Sequence, residues 1–229
     1  MLPIFAIGTP EAEAALTRLE GRGEWMHESV EPVVREILAA VRAEGDAAVL
    51  RHQERFGRRP PRLLVRDYPG VTAIESLAPH DRAALELAAS RIRAFHVRAA
   101  AAERQTGFSY EHEGITLGVR VTPVERAGIY APGGKARYPS SVLMAAIPAQ
   151  VAGVREILLA TPLAGDASDD ALYAAAHLAG VTAVVDAGGA QAIAALAYGT
   201  QSIPRVDKIA GPGNAYVTCA KRLVYGAVD

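Results

Sequence analysis

Three polar side chains stand at points in the sequence where ligand-binding loops are expected, namely Tyr130, Gln191 and Asn214. Tyr130 ends an apolar run and Gln191 follows Gly188-Gly189. Asn214 follows Gly211-Pro212-Gly213. A tyrosine can hydrogen-bond to a ribose, and an amide both donates and accepts hydrogen bonds. Each residue alone also has a structural explanation: a buried strand tyrosine, a solvent-facing helix residue and a helix N-cap. Three such residues at one sheet edge favour a binding site.

The sequence contains few other residues arranged for catalysis. No two of the six histidines lie within one helical turn of each other, so the spacing offers no helical pair of metal ligands. His112 lies between Glu111 and Glu113, but in a strand those neighbours point to the opposite face. The chain also has no G-x-S-x-G motif, no P-loop and no G-x-G-x-x-G fingerprint. We therefore assign no catalytic residue and no metal ligand from these patterns.

The first element that would position these side chains is a strand running into a Gly-rich loop. The run Arg126-Ala-Gly-Ile-Tyr130 leads into Pro132-Gly133-Gly134, whose glycines can adopt positive φ and admit another backbone or a ligand. A helix is predicted over residues 142–152, with Ser140 or Ser141 as its N-cap. A strand, a Gly-rich loop and a helix N-terminus form the geometry that receives nucleotide phosphates.

The same unit recurs along the second half of the chain. Further strands are predicted over residues 155–160, 182–186 and 206–210, and further helices over 169–178, 190–198 and 214–225. Strands that alternate with helices of this length imply βαβ units and a parallel sheet. The loops at the carboxyl ends of parallel strands gather at one edge, where open α/β folds bind ligands.

The first 120 residues have a different pattern. Helices are predicted from Thr9-Pro10 and over 30–43, 46–56 and 79–102, with a short strand at 63–65 and a hairpin over 108–122 that turns at Gly114. The composition changes near Val121. The segment before it is rich in arginine and predicted to be helical, and the segment after it alternates strands with helices and has glycines in its loops. We predict an α/β fold in two parts: a mainly helical N-terminal segment, residues 1–120, that is part of a first domain, and an incomplete Rossmann-like βα domain with a parallel sheet, residues 121–229.

Bulk composition excludes several classes of protein. The 229 residues carry a net charge of −1, so no basic field favours nucleic acid. A run of arginines from Arg55 to Arg62, including Arg58 and Arg59, is broken by prolines and reads as a solvated loop. The single cysteine, Cys219, excludes an internal disulfide and is predicted to be a buried small hydrophobe. No apolar run predicts a membrane span and no secretory signal is visible, so we expect a cytoplasmic protein.

Four phrases in the second half of the chain resemble histidinol dehydrogenase in order and spacing. They are Gly128-Ile-Tyr130-Ala-Pro132-Gly133-Gly134; Tyr138-Pro-Ser-Ser-Val-Leu-Met-Ala-Ala-Ile-Pro-Ala149; Gly188-Gly-Ala-Gln191-Ala-Ile-Ala-Ala-Leu-Ala-Tyr-Gly199-Thr; and Val206-Asp-Lys-Ile-Ala-Gly-Pro-Gly-Asn214-Ala-Tyr-Val. Phrases around Arg42, His96 and Arg126 resemble the same family, and the resemblance is weakest before Trp25.

The resemblance implies an activity and a set of cofactor contacts. The family oxidises L-histidinol through an aldehyde to L-histidine and uses two NAD in turn. The family positions that match Tyr130, Gln191 and Asn214 contact NAD, and all three residue types are present here. The family also relies on a zinc ion that positions the substrate and on a glutamate–histidine pair for acid/base chemistry. The resemblance therefore implies an NAD-binding βα domain.

The resemblance also implies what this chain does not contain. In the family, the sequence after the position of Asp229 continues into a Pro-Ala-Gly-Pro-Ser-Glu loop, and the zinc ligands and the acid/base pair lie in that C-terminal half. We therefore expect the chain to be inactive alone. Alternatives are one half of a split enzyme, completed by a separate polypeptide, and a non-catalytic NAD-binding or assembly module. Full-length members of the family form intertwined homodimers, so a homodimer is expected here too.

Overall fold

The structure is a computed structural model that describes residues 3–20, 24–55, 60, 62–103, 107–133 and 137–229. Its helices are α1 (Pro10–Glu20), α2 (Glu24–Glu44), α3 (Asp46–Arg55), α4 (Gly70–Ser76), α5 (Pro79–Glu103), α6 (Pro139–Ala152), α7 (Asp170–Leu178), α8 (Gly189–Tyr198) and α9 (Ala215–Val224). Its strands are β1 (Leu64–Val65), β2 (Ser109–His112), β3 (Ile115–Gly118), β4 (Arg126–Tyr130), β5 (Glu156–Ala160), β6 (Ala183–Val185) and β7 (Lys208–Ala210).

The central sheet has the strand order β1-β6-β5-β4-β7. Its four strands from β4 to β7 pair in parallel, which confirms the predicted parallel sheet. Along the chain these four strands are the first to the fourth, so the order across the sheet is third, second, first, fourth. This matches the first four positions of the doubly wound Rossmann order 3-2-1-4-5-6, in which the strand order reverses between the first and the fourth strand, here β4 and β7. The carboxyl ends of those two strands therefore border the crevice where such folds bind ligands.

Helices cover both faces of the sheet, and successive residues of β4 enter different cores. Tyr130 belongs to the core that includes residues of α2, α3, α8 and α9. Ile129 belongs to the core on the other face, with residues of α5, α6 and α7. Helix α8 lies between the sheet and the N-terminal helices, and all its residues from 190 to 197 are buried. An apolar helix without a polar face is expected only in such a central position.

The N-terminal segment supplies the outer layer of this structure. Helices α2 and α3 pack on α8 and α9, while α4 and α5 pack on α7 and α6. Strand β1 joins the sheet antiparallel to β6, with Leu64 opposite Val185. The Tyr68 hydroxyl also donates to the Val181 carbonyl at 2.7 Å. The proposed division into two domains at residue 121 stays a prediction.

The predicted hairpin is present and stands at the surface. Strands β2 and β3 pair antiparallel, and the turn uses Glu113 and Gly114, both with positive φ. Every residue of the two strands is exposed. The large apolar side chains exposed on and beside it are Phe108, Tyr110, Ile115, Leu117, Val119 and Val121. We name residues 108–121 the exposed hairpin.

Some predicted features concern residues outside those that the structure describes. Gly21 and Gly23 are expected to end the first helix, Gly57 to begin the connection before β1, and Trp25 to be a packing residue. The others are Gly134 in the Gly-rich loop and Arg58 and Arg59 in the run of arginines. In the part of the chain that is described, no helix combines the length and the apolar character needed to cross a membrane. Cys219 is buried in α9, which confirms the prediction made for it.

Candidate functional site at the carboxyl edge of the sheet

Tyr130 ties the end of β4 to the start of α8. It is the last residue of the strand and is buried. The Gly189 backbone N–H donates to the Tyr130 hydroxyl oxygen at 3.1 Å. Burial raises the pKa of that hydroxyl, and the hydrogen bond from Gly189 partly offsets the effect. Tyr130 therefore stays protonated at neutral pH and can donate its own proton to a ligand oxygen.

Gln191 lies in the first turn of α8 and is 1% exposed, so its interpretation as a solvent-facing helix residue is wrong. Its Nε2 donates to Oε1 of Gln53 in α3 at 2.7 Å. The Gly188 backbone N–H donates to the same oxygen at 3.3 Å. The Oε1 atom of Gln191 is buried and has no hydrogen-bond partner in the structure. A buried acceptor without a donor is uncommon and needs an explanation, such as a ligand.

Asn214 caps the last helix. Its Oδ1 accepts a hydrogen bond from the Val217 backbone N–H at 3.1 Å, and its backbone is extended. This geometry confirms that Asn214 has the structural role that its position predicts. The residue is exposed at the carboxyl end of β7, so its amide is accessible. Contact between Asn214 and NAD stays a prediction.

Close backbone packing joins the loops that carry the three residues. Gly211 lies against the end of β4, where a Cβ on residue 211 would be 2.0 Å from the Tyr130 carbonyl oxygen. Gly133 lies against Pro162, where a Cβ would be 2.7 Å from the Pro162 carbonyl oxygen. The close approach predicted for Gly133 is therefore confirmed, although its φ is not positive. The structure brings Tyr130 directly to the loop before Gln191, and it places Asn214 on the other side of β4.

A groove of about 400 Å³ lies between the start of α6 and the loop after β7. Its lining includes Ser140, Ser141 and Met144 on one side and Gly211 and Pro212 on the other. The N-cap predicted at Ser140 or Ser141 is wrong, because α6 begins at Pro139 and both serines lie in its first turn. The groove occupies the crevice between β4 and β7, where the strand order reverses.

Sequence reasoning missed several residues that are distant in sequence but pack or hydrogen-bond at the carboxyl edge of the sheet. Gln53 is 138 positions from Gln191, and no spacing pattern relates them. Arg137 and Asp169 form a buried ion pair, Nη2 to Oδ1, at 2.8 Å. Arg137 also donates through Nη1 to the Pro162 carbonyl at 3.2 Å. These partners meet only in the folded chain, so periodicity carries no signal for them.

The polar groups at the carboxyl edge of the sheet suit a nucleotide better than a metal ion. Among the side chains that the structure describes, no group of three or more His, Cys, Asp or Glu could hold a metal ion. The residues that the structure describes at this edge therefore do not fit a zinc site. The unpartnered Gln191 oxygen, the accessible Asn214 amide and the groove at the strand reversal offer the hydrogen-bonding groups and space that a dinucleotide needs.

Comparison with known proteins gives consistent results. The family model for histidinol dehydrogenase matches residues 21–229. A histidinol dehydrogenase of Syntrophotalea carbinolica is 47% identical over 232 residues, which cover 100% of this chain and 53% of that protein. One of Cupriavidus pinatubonensis is 50% identical over 206 residues, which cover 88% of this chain and 46% of that protein. The chain therefore spans about half the length of the curated relatives it matches.

A solved structure is also similar. It is the crystal structure of histidinol dehydrogenase from Elizabethkingia anophelis, which matches with a TM-score of 0.76 and 33% sequence identity. The match covers 86% of this chain and 46% of that chain. The similarity therefore extends over the N-terminal helices as well as the βα units.

Proposed function

Because this chain belongs to the histidinol dehydrogenase family, we propose that it supplies the NAD-binding part of an enzyme that oxidises L-histidinol to L-histidine in histidine biosynthesis. The observation that carries the proposal is the Gln191 oxygen, a buried acceptor without a partner beside the Gly188-Gly189 loop. It lies at the carboxyl edge of a sheet whose strand order is that of a nucleotide-binding fold.

Each of the three proposed NAD contacts has a distinct role. Gln191 accepts a hydrogen bond through its unpartnered oxygen, and Tyr130 donates from its hydroxyl after its own acceptor position is filled by Gly189. Asn214 offers its amide nitrogen, since its oxygen already caps α9. NAD, when bound, supplies the hydride acceptor for the oxidation. The chain's own residues bind and orient it.

The zinc-dependent part of the reaction has no counterpart at this edge, because the described side chains do not fit a metal site. We propose that the isolated chain does not turn over histidinol and that it acts in the cytoplasm. Robust zinc-dependent oxidation of histidinol by the purified chain alone would overturn this part of the proposal.

Calorimetric titration with NAD tests the cofactor site. We expect the wild-type chain to bind NAD, and we expect Gln191→Ala and Tyr130→Phe each to weaken binding by about 3- to 10-fold, the value of one hydrogen bond. Tyr110→Phe removes a matched hydroxyl from the exposed hairpin and serves as the control. No binding by wild-type chain at millimolar NAD would refute the proposed function.

A second candidate function, a non-catalytic assembly module, is favoured by one observation. The exposed hairpin presents a row of large apolar side chains to solvent, as surfaces that contact partners do. Loss of NAD binding together with retained self-association would favour this candidate. Both candidates predict a homodimer.

A further inference from the structure

We propose that Gln53 is a positioning residue that holds the Gln191 amide with its oxygen directed toward the cofactor. The inference rests on the proposed function, in which Gln191 contacts NAD. Gln53 lies in α3, in the N-terminal segment, and is buried against the start of α8. It acts through Gln191 and is assigned no contact with NAD.

One oxygen of Gln53 serves two donors. Its Oε1 accepts from the Gly188 backbone N–H at 3.3 Å and from Gln191 Nε2 at 2.7 Å. Gln53 and Gln191 are both buried. Water therefore does not compete well for these hydrogen bonds, and an alternative arrangement would leave a buried donor unpaired.

The backbone N–H of Gly188 decides the orientation of both amides. A backbone N–H can only donate, so the Gln53 atom that faces it has to be the oxygen. That oxygen can only accept, so the Gln191 atom 2.7 Å from it has to be the nitrogen. The orientation of a glutamine amide is often ambiguous, but here it follows from a donor of known identity. Gln191 consequently presents its oxygen, and not its NH2 group, on the opposite side.

The Gln191 oxygen determines which kind of ligand group can bind beside it. Gln191 Oε1 is buried without a partner, and it needs a hydrogen-bond donor. Residue 189 leaves this oxygen uncovered because it is a glycine: a Cβ there would lie 2.8 Å from the oxygen. The group of NAD that reaches Gln191 is therefore a donor, either a ribose hydroxyl or an amino group of the nicotinamide carboxamide or the adenine.

Hydrogen exchange tests the positioning without NAD. We expect the side-chain NH2 protons of Gln191, followed by NMR, to exchange at least about tenfold more slowly in wild type than in Gln53→Met, which keeps the volume and loses the acceptor. Gln53→Glu keeps an acceptor oxygen and should restore slow exchange. Gln150→Met replaces an exposed glutamine on α6 and should leave the rate unchanged. Equal rates in wild type and Gln53→Met overturn the inference.

Titration with NAD analogues tests the selected chemistry. The analogues each lack one donor: the 2′-deoxy and 3′-deoxy forms of either ribose, acetylpyridine adenine dinucleotide and nicotinamide hypoxanthine dinucleotide. We expect wild type to bind one of them about 3- to 10-fold more weakly than NAD, Gln53→Met to reduce that preference below about twofold, and Gln53→Glu to restore it. Equal affinity of wild type for NAD and all analogues, or an unchanged preference in Gln53→Met, overturns the inference. If wild type binds no NAD, the proposed function fails and the exchange rates alone decide the role of Gln53.

Discussion

The Arg137–Asp169 ion pair holds the segment before α6 against the loop between β5 and α7. Asp169 is almost fully buried and also accepts backbone hydrogen bonds from Ala164 and Gly165. Breaking a buried pair by removing one partner leaves an uncompensated charge, which costs about 3–5 kcal/mol. We therefore expect Arg137→Met to lower the free energy of unfolding by about that amount in urea denaturation.

A matched surface pair provides the control for this prediction. Arg82 and Glu86 form an exposed pair one turn apart on α5. Since exposed pairs contribute little, Arg82→Met should change the free energy of unfolding by less than about 1 kcal/mol. Equal effects of Arg82→Met and Arg137→Met would show that the buried pair is not important for stability.

His52 makes stability depend on pH. It is buried, its Nε2 has no partner in the structure, and burial followed by the charges of Arg51 and Arg55 lowers its pKa. Between the lowered folded pKa and the ordinary value near 6.5, the unfolded chain binds more protons, so stability rises with pH in that window. We expect the free energy of unfolding to fall as pH drops below about 6.5.

The substitution His52→Leu should remove this pH dependence, as measured by urea denaturation from about pH 8 to about pH 5. His80→Leu is the control, because His80 is exposed at the start of α5. If the free energy of unfolding still depended on pH in His52→Leu and no longer did so in His80→Leu, the assignment of this dependence to His52 would be contradicted.

Single residues show how far sequence reasoning reaches into the site. Tyr130 and Gln191 could be selected because each adjoins a Gly-punctuated loop, and the structure places both at the same edge. Gln53 could not be selected, because a polar residue in an amphipathic helix is indistinguishable from a solvated one until its partner is known. Its partner is 138 positions away and depends on the packing of α3 against α8.

At the level of secondary-structure elements, Asn214 has two roles that substitutions can separate. It caps α9, and its amide is proposed to contact NAD. We expect Asn214→Ala to lower the free energy of unfolding by about 1 kcal/mol, because the Val217 N–H loses its acceptor. Asn214→Asp keeps an oxygen for the cap and removes the amide donor proposed for NAD. It should keep stability within about 0.5 kcal/mol and weaken NAD binding. Calorimetry and urea denaturation of the two variants measure both roles, and unchanged NAD affinity in Asn214→Asp would remove Asn214 from the cofactor site.

The strands and helices were predictable where one local signal determines them. Apolar runs ending in Gly or Pro predict β4 to β7, and all four are present. The start of α6 was predicted three residues late, because Pro139 is itself favoured in the first helical turn. The pairing of β1 with β6 was not predicted, since the partner of a short edge strand depends on tertiary packing rather than on its sequence.

At the scale of the whole molecule, the apolar side chains of the exposed hairpin lead us to expect that two copies of the chain associate. We expect the wild-type chain to be a dimer by light scattering, and Leu117→Glu to weaken dimerisation at least tenfold, by about 1.4 kcal/mol or more, because a charge replaces an apolar contact. Val71→Glu, an exposed apolar residue on α4, is the control and should leave the dimer intact. A monodisperse wild-type monomer at working concentration would contradict the prediction.

The burial of α8 beneath α2 and α3 has a consequence for biosynthesis. The N-terminal helices leave the ribosome first, but the surface they pack on is made from residues 189–224, which are translated well over a hundred positions later. At a synthesis rate of about 5–20 residues per second, their apolar faces wait on the order of ten seconds for a partner. During that interval the apolar faces of α2 and α3 stay uncovered, so the synthesis of residues 189–224 controls when these helices can pack.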